Sequence, residues 1–99
     1  MLNPFASPKA SPSARGRQLV ASGARLLDVR TPEEFAGGHI AGALNIPVQQ
    51  LAARLREVAP PGTPVVVYCR SGARSAAATQ LLRSANFGEI VDLGAMTNW

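Results

Sequence analysis

The feature that most constrains the fold is an uninterrupted apolar run, Val65-Val66-Val67-Tyr68, which begins shortly after the turn-forming residues Pro60-Pro61-Gly62. A strand with one solvent-facing side alternates apolar and polar residues, whereas a strand covered on both sides is apolar throughout. The run therefore predicts a central strand with helices packed on both faces of its sheet. The alanine- and leucine-rich residues 76–83 follow after a short loop, and their composition is typical of a helix.

Three further segments have the composition of strands, and they alternate along the chain with segments of helical pattern. The predicted strands are residues 25–29, 43–46 and 90–93, and the predicted helical segments before residue 60 are residues 13–22, 32–35 and 51–58. Thr31 can cap the helical turn that begins at Pro32. This alternation predicts an α/β fold, and we expect a doubly wound, mainly parallel sheet of about four to five strands with helices on both faces.

The length of the chain allows one compact domain: it has 99 residues, of which 46% are hydrophobic. Pro4, Pro8 and Pro12 stand among serines and alanines in residues 1–13, a composition that disfavours regular structure. We therefore expect residues 1–13 to form a flexible leader and residues 14–99 to form the domain. Because residues 1–13 lack the hydrophobic run of a signal peptide and the chain lacks a membrane-spanning stretch, we expect a cytoplasmic protein without a membrane partner.

Charge and cysteine content exclude several classes of partner. The chain has ten basic and six acidic residues, a net charge of +4, but its arginines are scattered and its aromatic residues are few. Nucleic-acid binding is therefore not predicted, since it depends on clustered positive charge. The single cysteine, Cys69, excludes an intrachain disulfide and a metal cluster of several thiolates. We expect neither a metal nor a cofactor.

Cys69 occupies a position at which a thiol can react. It follows the predicted central strand directly, and ligands of open α/β sheets bind beyond the carboxyl ends of the strands. The start of the predicted helix at Ser75 supplies free N–H groups that favour the thiolate. Arg70 and Arg74 add positive charge, and Gly72 allows a tight loop. An isolated cysteine is more often a small buried apolar residue, but this setting favours a nucleophile held in an anion-binding loop.

Two separate segments of the chain resemble the rhodanese homology family. The second segment is residues 69–75, and the first consists of Asp28-Val29-Arg30, Glu33-Glu34-Phe35, Gly38-His39-Ile40, Gly42-Ala43 and Asn45-Ile46-Pro47. The resemblance covers residues 14–99 and implies a single rhodanese-like domain. One departure is Gly94-Ala95 after the last predicted strand, where the family commonly has two glycines.

The length of the cysteine loop distinguishes two activities within this family. The loop that begins at the cysteine spans six residues in sulfurtransferases and seven in relatives that act as phosphatases. Here residues 69–74 make six, and Ser75 stands where a phosphatase needs its phosphate-clamping arginine. The resemblance therefore implies a thiosulfate sulfurtransferase, while a phosphatase-like enzyme and a non-catalytic interaction module are the alternatives.

The resemblance also implies a two-step exchange centred on Cys69. The thiolate takes the outer sulfur of a small anionic donor such as thiosulfate and holds it as a persulfide. An acceptor then removes that sulfur. Cyanide, a thiol and a sulfur-accepting protein are the candidate acceptors.

The predicted substrate-binding residues are those that follow the nucleophile: Arg70, Ser71, Gly72, Ala73, Arg74 and Ser75. The two guanidinium groups suit the sulfonate oxygens of the donor, and an ion pair that braces the loop is the alternative for Arg74. Asp28 and Arg30 end the first predicted strand on the same edge of the sheet and are possible supporting residues, with an ion-pair brace favoured for Asp28. His39 is expected to have a structural role.

Overall fold

Residues 11–99 are described by the structure, a computed structural model of the chain. Its elements, in chain order, are α1 (Pro12–Ala21), β1 (Arg25–Asp28), α2 (Pro32–Ala36), β2 (Leu44–Asn45), α3 (Val48–Leu51), α4 (Leu55–Val58), β3 (Val65–Cys69), α5 (Ala73–Arg83) and β4 (Ile90–Ala95). Two 3₁₀ turns occupy Ala52–Arg54 and Met96–Asn98. None of these helices is long and apolar enough to span a membrane.

The strands of this part of the chain form one parallel sheet in the order β2-β1-β3-β4. Strand β3 lies between β1 and β4, in the central position that its apolar sequence predicts. Helices pack on both faces of the sheet. The predicted fold class, a doubly wound α/β sheet, is thereby confirmed.

The two faces of β3 explain why its sequence is apolar throughout. Val65, Val67 and Cys69 point into a core that contains residues of α3, α4 and α5. Val66 and Tyr68 point into a second core, which contains residues of α1 and β4. All residues of β3 are buried, and the side chain of Cys69 belongs to the face of the sheet that α5 covers.

Helix α1 begins earlier than the predicted boundary between leader and domain. Ser11 is its N-cap, and the Ser11 hydroxyl accepts a hydrogen bond from the backbone N–H of Ala14 at 3.1 Å. Pro12 occupies the first turn, where the fixed φ and the missing N–H of proline are tolerated. Pro12 and Ser13 therefore lie in α1, while residues 1–10 of the predicted leader lie outside the described residues.

Strand β4 carries a bulge next to the end of β3. Val67 pairs with Asp92 but Tyr68 pairs with Gly94, so β4 has an extra residue at this point. The Asp92 carboxylate accepts a hydrogen bond from the backbone N–H of Gly94 at 2.9 Å, and Gly94 adopts a φ of +78°, which favours glycine. The bulge brings the end of β4 beside the loop that follows β3.

Gly88, in the turn before β4, is expected to tolerate no side chain. A Cβ atom there would lie 2.5 Å from the backbone oxygen of Gly62 and 3.2 Å from the backbone nitrogen of Pro64. Because backbone atoms cannot move aside as a flexible side chain can, we expect Gly88→Ala to lower the free energy of unfolding by about 1–3 kcal/mol. Urea denaturation followed by circular dichroism measures this loss.

Gly37→Ala is the matched control for that substitution. A Cβ atom at Gly37 would have no contact closer than 3.5 Å, and Gly37 has a helical φ of −77°. We expect its free energy of unfolding to stay within about 0.5 kcal/mol of the wild-type value. Equal stability of the two variants would contradict the prediction.

Candidate active site

Cys69 is the last residue of β3, at the carboxyl edge of the sheet, and its exposed fraction is 0%. The backbone N–H of Gly72 donates a hydrogen bond to the sulfur atom of Cys69 at 2.9 Å. The loop between β3 and α5 therefore folds back over the sulfur instead of leading away from it. The predicted nucleophile lies against the backbone of the loop that was expected to bind an anion.

Gly72 turns the chain from this loop into helix α5. It is the N-cap residue, and its φ of +106° is a left-handed conformation that residues with a Cβ rarely adopt. Helix α5 consequently starts at Ala73, earlier than the start predicted at Ser75. Ser75 is buried in the first turn of α5, where its hydroxyl donates a hydrogen bond to the carbonyl of Gly72 at 3.0 Å. The tight turn directs N–H groups at the start of the helix towards the sulfur.

Two opposing effects act on the pKa of Cys69. Burial raises the pKa of the thiol, because a thiolate loses solvation in the interior. The backbone N–H groups of Ser75, Gly72 and Ser71, with that of Ser75 first among them, lower it. The hydrogen bonds outweigh burial, so the pKa lies below that of an ordinary thiol and the loop stabilises the thiolate. Ala73 is exposed and contributes no polar side chain.

Arg74 braces the loop by pairing with Glu34 of α2. Its guanidinium donates to both carboxylate oxygens of Glu34, at 2.7 and 3.0 Å. Glu34 also accepts a hydrogen bond from the N–H of Thr31 at 2.9 Å, while the Thr31 hydroxyl accepts one from the N–H of Glu34. These contacts, with Arg74 first among them, lower the pKa of Glu34 to about 2. Arg74 thus has the bracing arrangement, which ties α5 to α2.

Asp28 and Arg30 form a buried ion pair at the end of β1. Asp28 is fully buried and Arg30 is 5% exposed. The Nε and Nη2 atoms of Arg30 donate to the carboxylate of Asp28 at 3.0 and 2.7 Å, and Nη2 also donates to the carbonyl of Gly38 at 2.7 Å. A buried ion pair is tolerated when further hydrogen bonds satisfy its polar atoms, as they do here. Asp28 is thus the brace that the sequence favours, and Arg30 is its partner.

Two polar side chains that were not predicted as site residues complete this buried network. The hydroxyl of Tyr68 accepts a hydrogen bond from the N–H of Ile40 at 3.1 Å, and the guanidinium of Arg30 lies 5.6 Å from the centre of the Tyr68 ring. Burial, helped by the nearby Asp28 carboxylate, raises the pKa of Tyr68 to about 12, so this hydroxyl stays neutral. Asn45 donates to the carbonyls of Asp28 and Arg30 at 3.1 and 3.0 Å. Tyr68 and Asn45 are each a polar residue at the end of an apolar strand, and this position is the sequence feature that could have identified them as site residues.

A cleft of about 470 Å³ opens at the carboxyl edge of the sheet, beside the cysteine loop. Its walls come from the end of β1, from α2 and the glycines after it, from the cysteine loop, and from the turn after β4: Arg30, Glu33, Glu34, Gly37, Gly38, Arg70, Met96 and Thr97. Arg70 is exposed, and within residues 11–99 its guanidinium has no ion-pair or hydrogen-bond partner. Since Arg30 and Arg74 are both paired, Arg70 is the arginine of this cleft that is free to bind a ligand.

His39 lies in the turn after α2 and takes no part in the cysteine loop. Its Nδ1 atom is 2.8 Å from the carbonyl oxygen of Phe35, and its ring stacks on that of Phe35 with the ring centres 3.6 Å apart. These are contacts of a residue that stabilises a turn. They agree with the structural role expected for His39.

Comparison with known proteins gives a family and relatives of named activity. A family model described as Rhodanese-like domain matches residues 14–99. The human thiosulfate:glutathione sulfurtransferase is 40% identical to this chain, and the match covers 84% of this chain and 85% of the human one. The solved structure of the human single-domain sulfurtransferase TSTD1 has a TM-score of 0.71 and 36% identity, with coverage of 91% of this chain and 96% of that one.

A third relative is longer than the matched region. The Bacillus subtilis protein YqhL, whose function is uncharacterised, is 47% identical over 77 residues. The match covers 77% of this chain and 60% of the Bacillus protein, so it spans less than two thirds of that relative.

The ion pair between Glu34 and Arg74 predicts how stability depends on pH. The pKa of Glu34 is about 2 in the folded protein, below the ordinary value of 4.5. A carboxyl group with a lowered pKa stabilises the fold above its unfolded-state pKa, and this contribution is lost as the pH falls through the folded-state pKa. We therefore expect the wild-type protein to lose stability from pH 4.5 towards pH 2 more steeply than Glu34→Gln does. Urea denaturation across this pH range measures both slopes.

Glu33→Gln is the control for the pH experiment. It removes the adjacent carboxylate, which is exposed and has no ion-pair partner within residues 11–99. We expect this variant to keep the wild-type slope. If Glu34→Gln also kept that slope, the ion pair would not be the source of the pH dependence.

Proposed function

Because this chain belongs to the rhodanese-like domain family, we propose that it is a thiosulfate sulfurtransferase in which Cys69 carries the transferred sulfur as a persulfide. Relatives of named activity support sulfur transfer as the reaction class. One observation carries the finer proposal: the sulfur of Cys69 lies at the carboxyl edge of the sheet, 2.9 Å from the N–H of Gly72, and its pKa is lowered. A cysteine with a merely structural role needs neither of these features.

The first half-reaction loads the sulfur. The Cys69 thiolate attacks the outer sulfur of thiosulfate, and a new S–S bond forms as the S–S bond of thiosulfate breaks. Sulfite leaves with the electron pair of the broken bond. The persulfide that remains on Cys69 carries the single negative charge that the thiolate carried before.

The second half-reaction transfers the outer sulfur of the persulfide to an acceptor. Cyanide or a thiolate attacks the outer sulfur of the persulfide, the bond to the Cys69 sulfur breaks, and its electron pair restores the Cys69 thiolate. The products are thiocyanate or the persulfide of the acceptor thiol. The human relative named for thiosulfate and glutathione supports a thiol as the acceptor here. The cycle requires neither a metal nor a cofactor.

The N–H groups of the loop have the same task in both half-reactions. Those of Ser71, Gly72 and Ser75 stabilise the thiolate through hydrogen bonds to sulfur. The persulfide anion presents the same net charge at nearly the same place, so donors that are already oriented stabilise it without reorganisation. Because the lowered pKa of Cys69 favours the thiolate, the proposed reaction does not call on a general base such as His39.

Arg70 is the residue that we assign to the sulfonate group of the donor. It is exposed in the cleft without a partner, whereas Arg74 is held by Glu34 and Arg30 by Asp28. A guanidinium group binds sulfonate oxygens through two parallel hydrogen bonds. Arg74 then contributes to the reaction by bracing the loop and not by contact with the donor.

The phosphatase alternative is disfavoured by the same arrangement. A phosphate needs an arginine that is free to clamp its oxygens. Ser75 stands at the required position, and Arg74, one residue earlier, is engaged with Glu34.

We further propose that residues 14–99 form the catalytic domain and that the protein acts in the cytoplasm, without a nucleic-acid or membrane partner.

Incubation with thiosulfate tests the role of Cys69. We expect the intact mass of the wild-type protein to rise by one sulfur atom, and cyanide to reverse the gain with formation of thiocyanate. Cys69→Ser should remain folded, because serine is similar in size, and should show neither effect. Since Cys69 is the sole cysteine of the chain, no other thiol can account for the gain. Thiocyanate formation by the variant would rule out Cys69 as the nucleophile, and hydrolysis of an aryl phosphate without any sulfur gain would favour the phosphatase.

Substitution of Arg70 tests the donor site. We expect Arg70→Gln to raise the KM for thiosulfate about tenfold, because it removes a charged hydrogen-bonding group. Alkylation of Cys69 by the neutral reagent iodoacetamide, at a pH where the thiol is fully ionised, should proceed at the wild-type rate. Arg83→Gln is the matched control, since Arg83 is exposed at the opposite end of α5. An equal rise in KM for both variants would show a general charge effect instead of donor binding.

A further inference from the structure

A row of hydrogen bonds connects the first turn of helix α5 to the sulfur of Cys69. The hydroxyl of Ser75 donates to the carbonyl oxygen of Gly72 at 3.0 Å, and the backbone N–H of Ala76 donates to the same oxygen at 3.0 Å. The backbone N–H of Gly72 in turn donates to the sulfur of Cys69 at 2.9 Å. Helix α5 therefore holds Gly72 at its carbonyl, while the N–H of Gly72 is directed at the sulfur.

Gly72 is the residue of this turn whose orientation most needs such a constraint. Glycine has the widest conformational freedom of the amino acids, and Gly72 adopts a left-handed φ of +106°. Many N-cap side chains fix the start of a helix by accepting a hydrogen bond from its first turn, but Gly72 has no side chain that could do so. The hydrogen bonds to its carbonyl therefore take over the part of a side-chain cap.

The burial of Ser75 favours a role in holding the loop over contact with the donor. Its exposed fraction is 0%. A hydroxyl has one proton to donate, and that of Ser75 is engaged by the Gly72 carbonyl. Ser75 is among the residues that the family resemblance implies for donor binding, but its side chain faces the loop from inside.

Thr79, one turn later in α5, provides an internal comparison. It is 4% exposed, and its hydroxyl donates to the carbonyl of Ser75 at 2.8 Å. Serine and threonine commonly form such bonds inside helices, to a carbonyl three or four residues earlier. The two hydroxyls differ in their acceptors, because the bond of Ser75 leads to the residue that contacts the Cys69 sulfur, whereas that of Thr79 stays within α5.

We propose that Ser75 is a positioning residue, whose hydroxyl holds Gly72 so that the Gly72 N–H stays directed at the Cys69 sulfur. The proposal rests on the proposed function and adds to it a residue that acts without touching donor or acceptor. An N–H group stabilises a thiolate or persulfide anion best when it already points at the charge, because no reorganisation is then needed. Loss of the hydroxyl frees Gly72 to turn, and the anion loses part of its stabilisation.

The ionisation of Cys69 in Ser75→Ala and Thr79→Val tests this role. Each substitution removes one buried hydroxyl of α5 and leaves a side chain of similar size, and Ser75→Ala also keeps the backbone N–H of residue 75. The midpoint of ionisation is read from the ultraviolet absorbance of the thiolate as the pH is raised. This signal is specific, because the chain has one cysteine and its one tyrosine, Tyr68, has a pKa of about 12.

We expect Ser75→Ala to raise the midpoint by about 0.5–1 pH unit, since part of one hydrogen bond to a charged group is lost. Below the midpoint, loading by thiosulfate should slow by about threefold to tenfold and recover as the pH is raised. Thr79→Val should keep the wild-type midpoint, although both variants should lower the urea midpoint because each loses a buried hydrogen bond. An unchanged ionisation midpoint in Ser75→Ala, or equal shifts in both variants, would overturn the proposal.

The amide proton of Gly72 reports the positioning step itself. In the wild-type protein, its NMR chemical shift should move as Cys69 ionises, because this N–H is bonded to the sulfur that gains the charge. The movement should be smaller in Ser75→Ala and retained in Thr79→Val. A full movement in Ser75→Ala together with a raised midpoint would show that the hydroxyl stabilises the sulfur directly, and would refute positioning through Gly72.

These measurements separate failure of this proposal from failure of the proposed function. The ionisation midpoint and the amide shift are recorded without any sulfur donor. A wild-type midpoint in Ser75→Ala, with normal sulfur loading of the wild-type protein, would refute only the positioning role. A raised midpoint in Ser75→Ala, with no sulfur gain on the wild-type protein, would refute the sulfurtransferase mechanism and leave the positioning of Gly72 supported.

Discussion

The hydrogen bonds between the sulfur of Cys69 and the backbone of its loop are the interaction on which the site depends. Strand β3 is buried on both faces, so a charge at its end loses the water that would otherwise solvate it. Burial alone would keep the thiol protonated, yet the N–H groups of the loop lower the pKa below its ordinary value. Because these donors belong to the backbone, their direction is set by the turn at Gly72. The lowered pKa of Cys69 is therefore a property of the strand, turn and helix together.

One ion pair braces the cysteine loop and a second holds the end of β1, and together they determine which charges at the cleft stay unpaired. Glu34 holds Arg74 at the start of α5, and Asp28 holds Arg30 at the end of β1. Isolated pairs on a surface contribute little, but both of these also bond to backbone groups, Glu34 to Thr31 and Arg30 to Gly38. The first pair joins α2 to α5, and the second joins the end of β1 to the turn after α2. Because Arg30 and Arg74 are paired, Arg70 is the arginine of the site that has no ion-pair partner within residues 11–99 and can bind a ligand.

The sequence predicts the local features of this fold better than the long-range contacts. The strand at residues 65–68 and the placement of Cys69 follow from an apolar run and a helix-forming segment that are adjacent in the chain. The partner of Arg74 could not be assigned, because Glu34 is distant in sequence and Glu33 beside it carries the same charge. The capping box that begins at Thr31 was the available signal that one of the two acids is held in place. The bulge in β4 is not predictable from local sequence, because it depends on how Gly94 pairs with a neighbouring strand.

The burial of the Cys69 sulfur has a consequence for the order of events in the proposed cycle. A bulky acceptor in the cleft cannot reach a sulfur atom whose residue has no exposed surface. A persulfide extends the side chain by one S–S bond of about 2 Å, so the atom under attack in the second step lies farther out than the atom that attacks in the first. The small donor must approach the buried sulfur, whereas the larger acceptor needs to reach only the outer one. Loading therefore requires the loop to open far enough for the small donor to reach the Cys69 sulfur, whereas unloading requires access only to the outer sulfur of the persulfide.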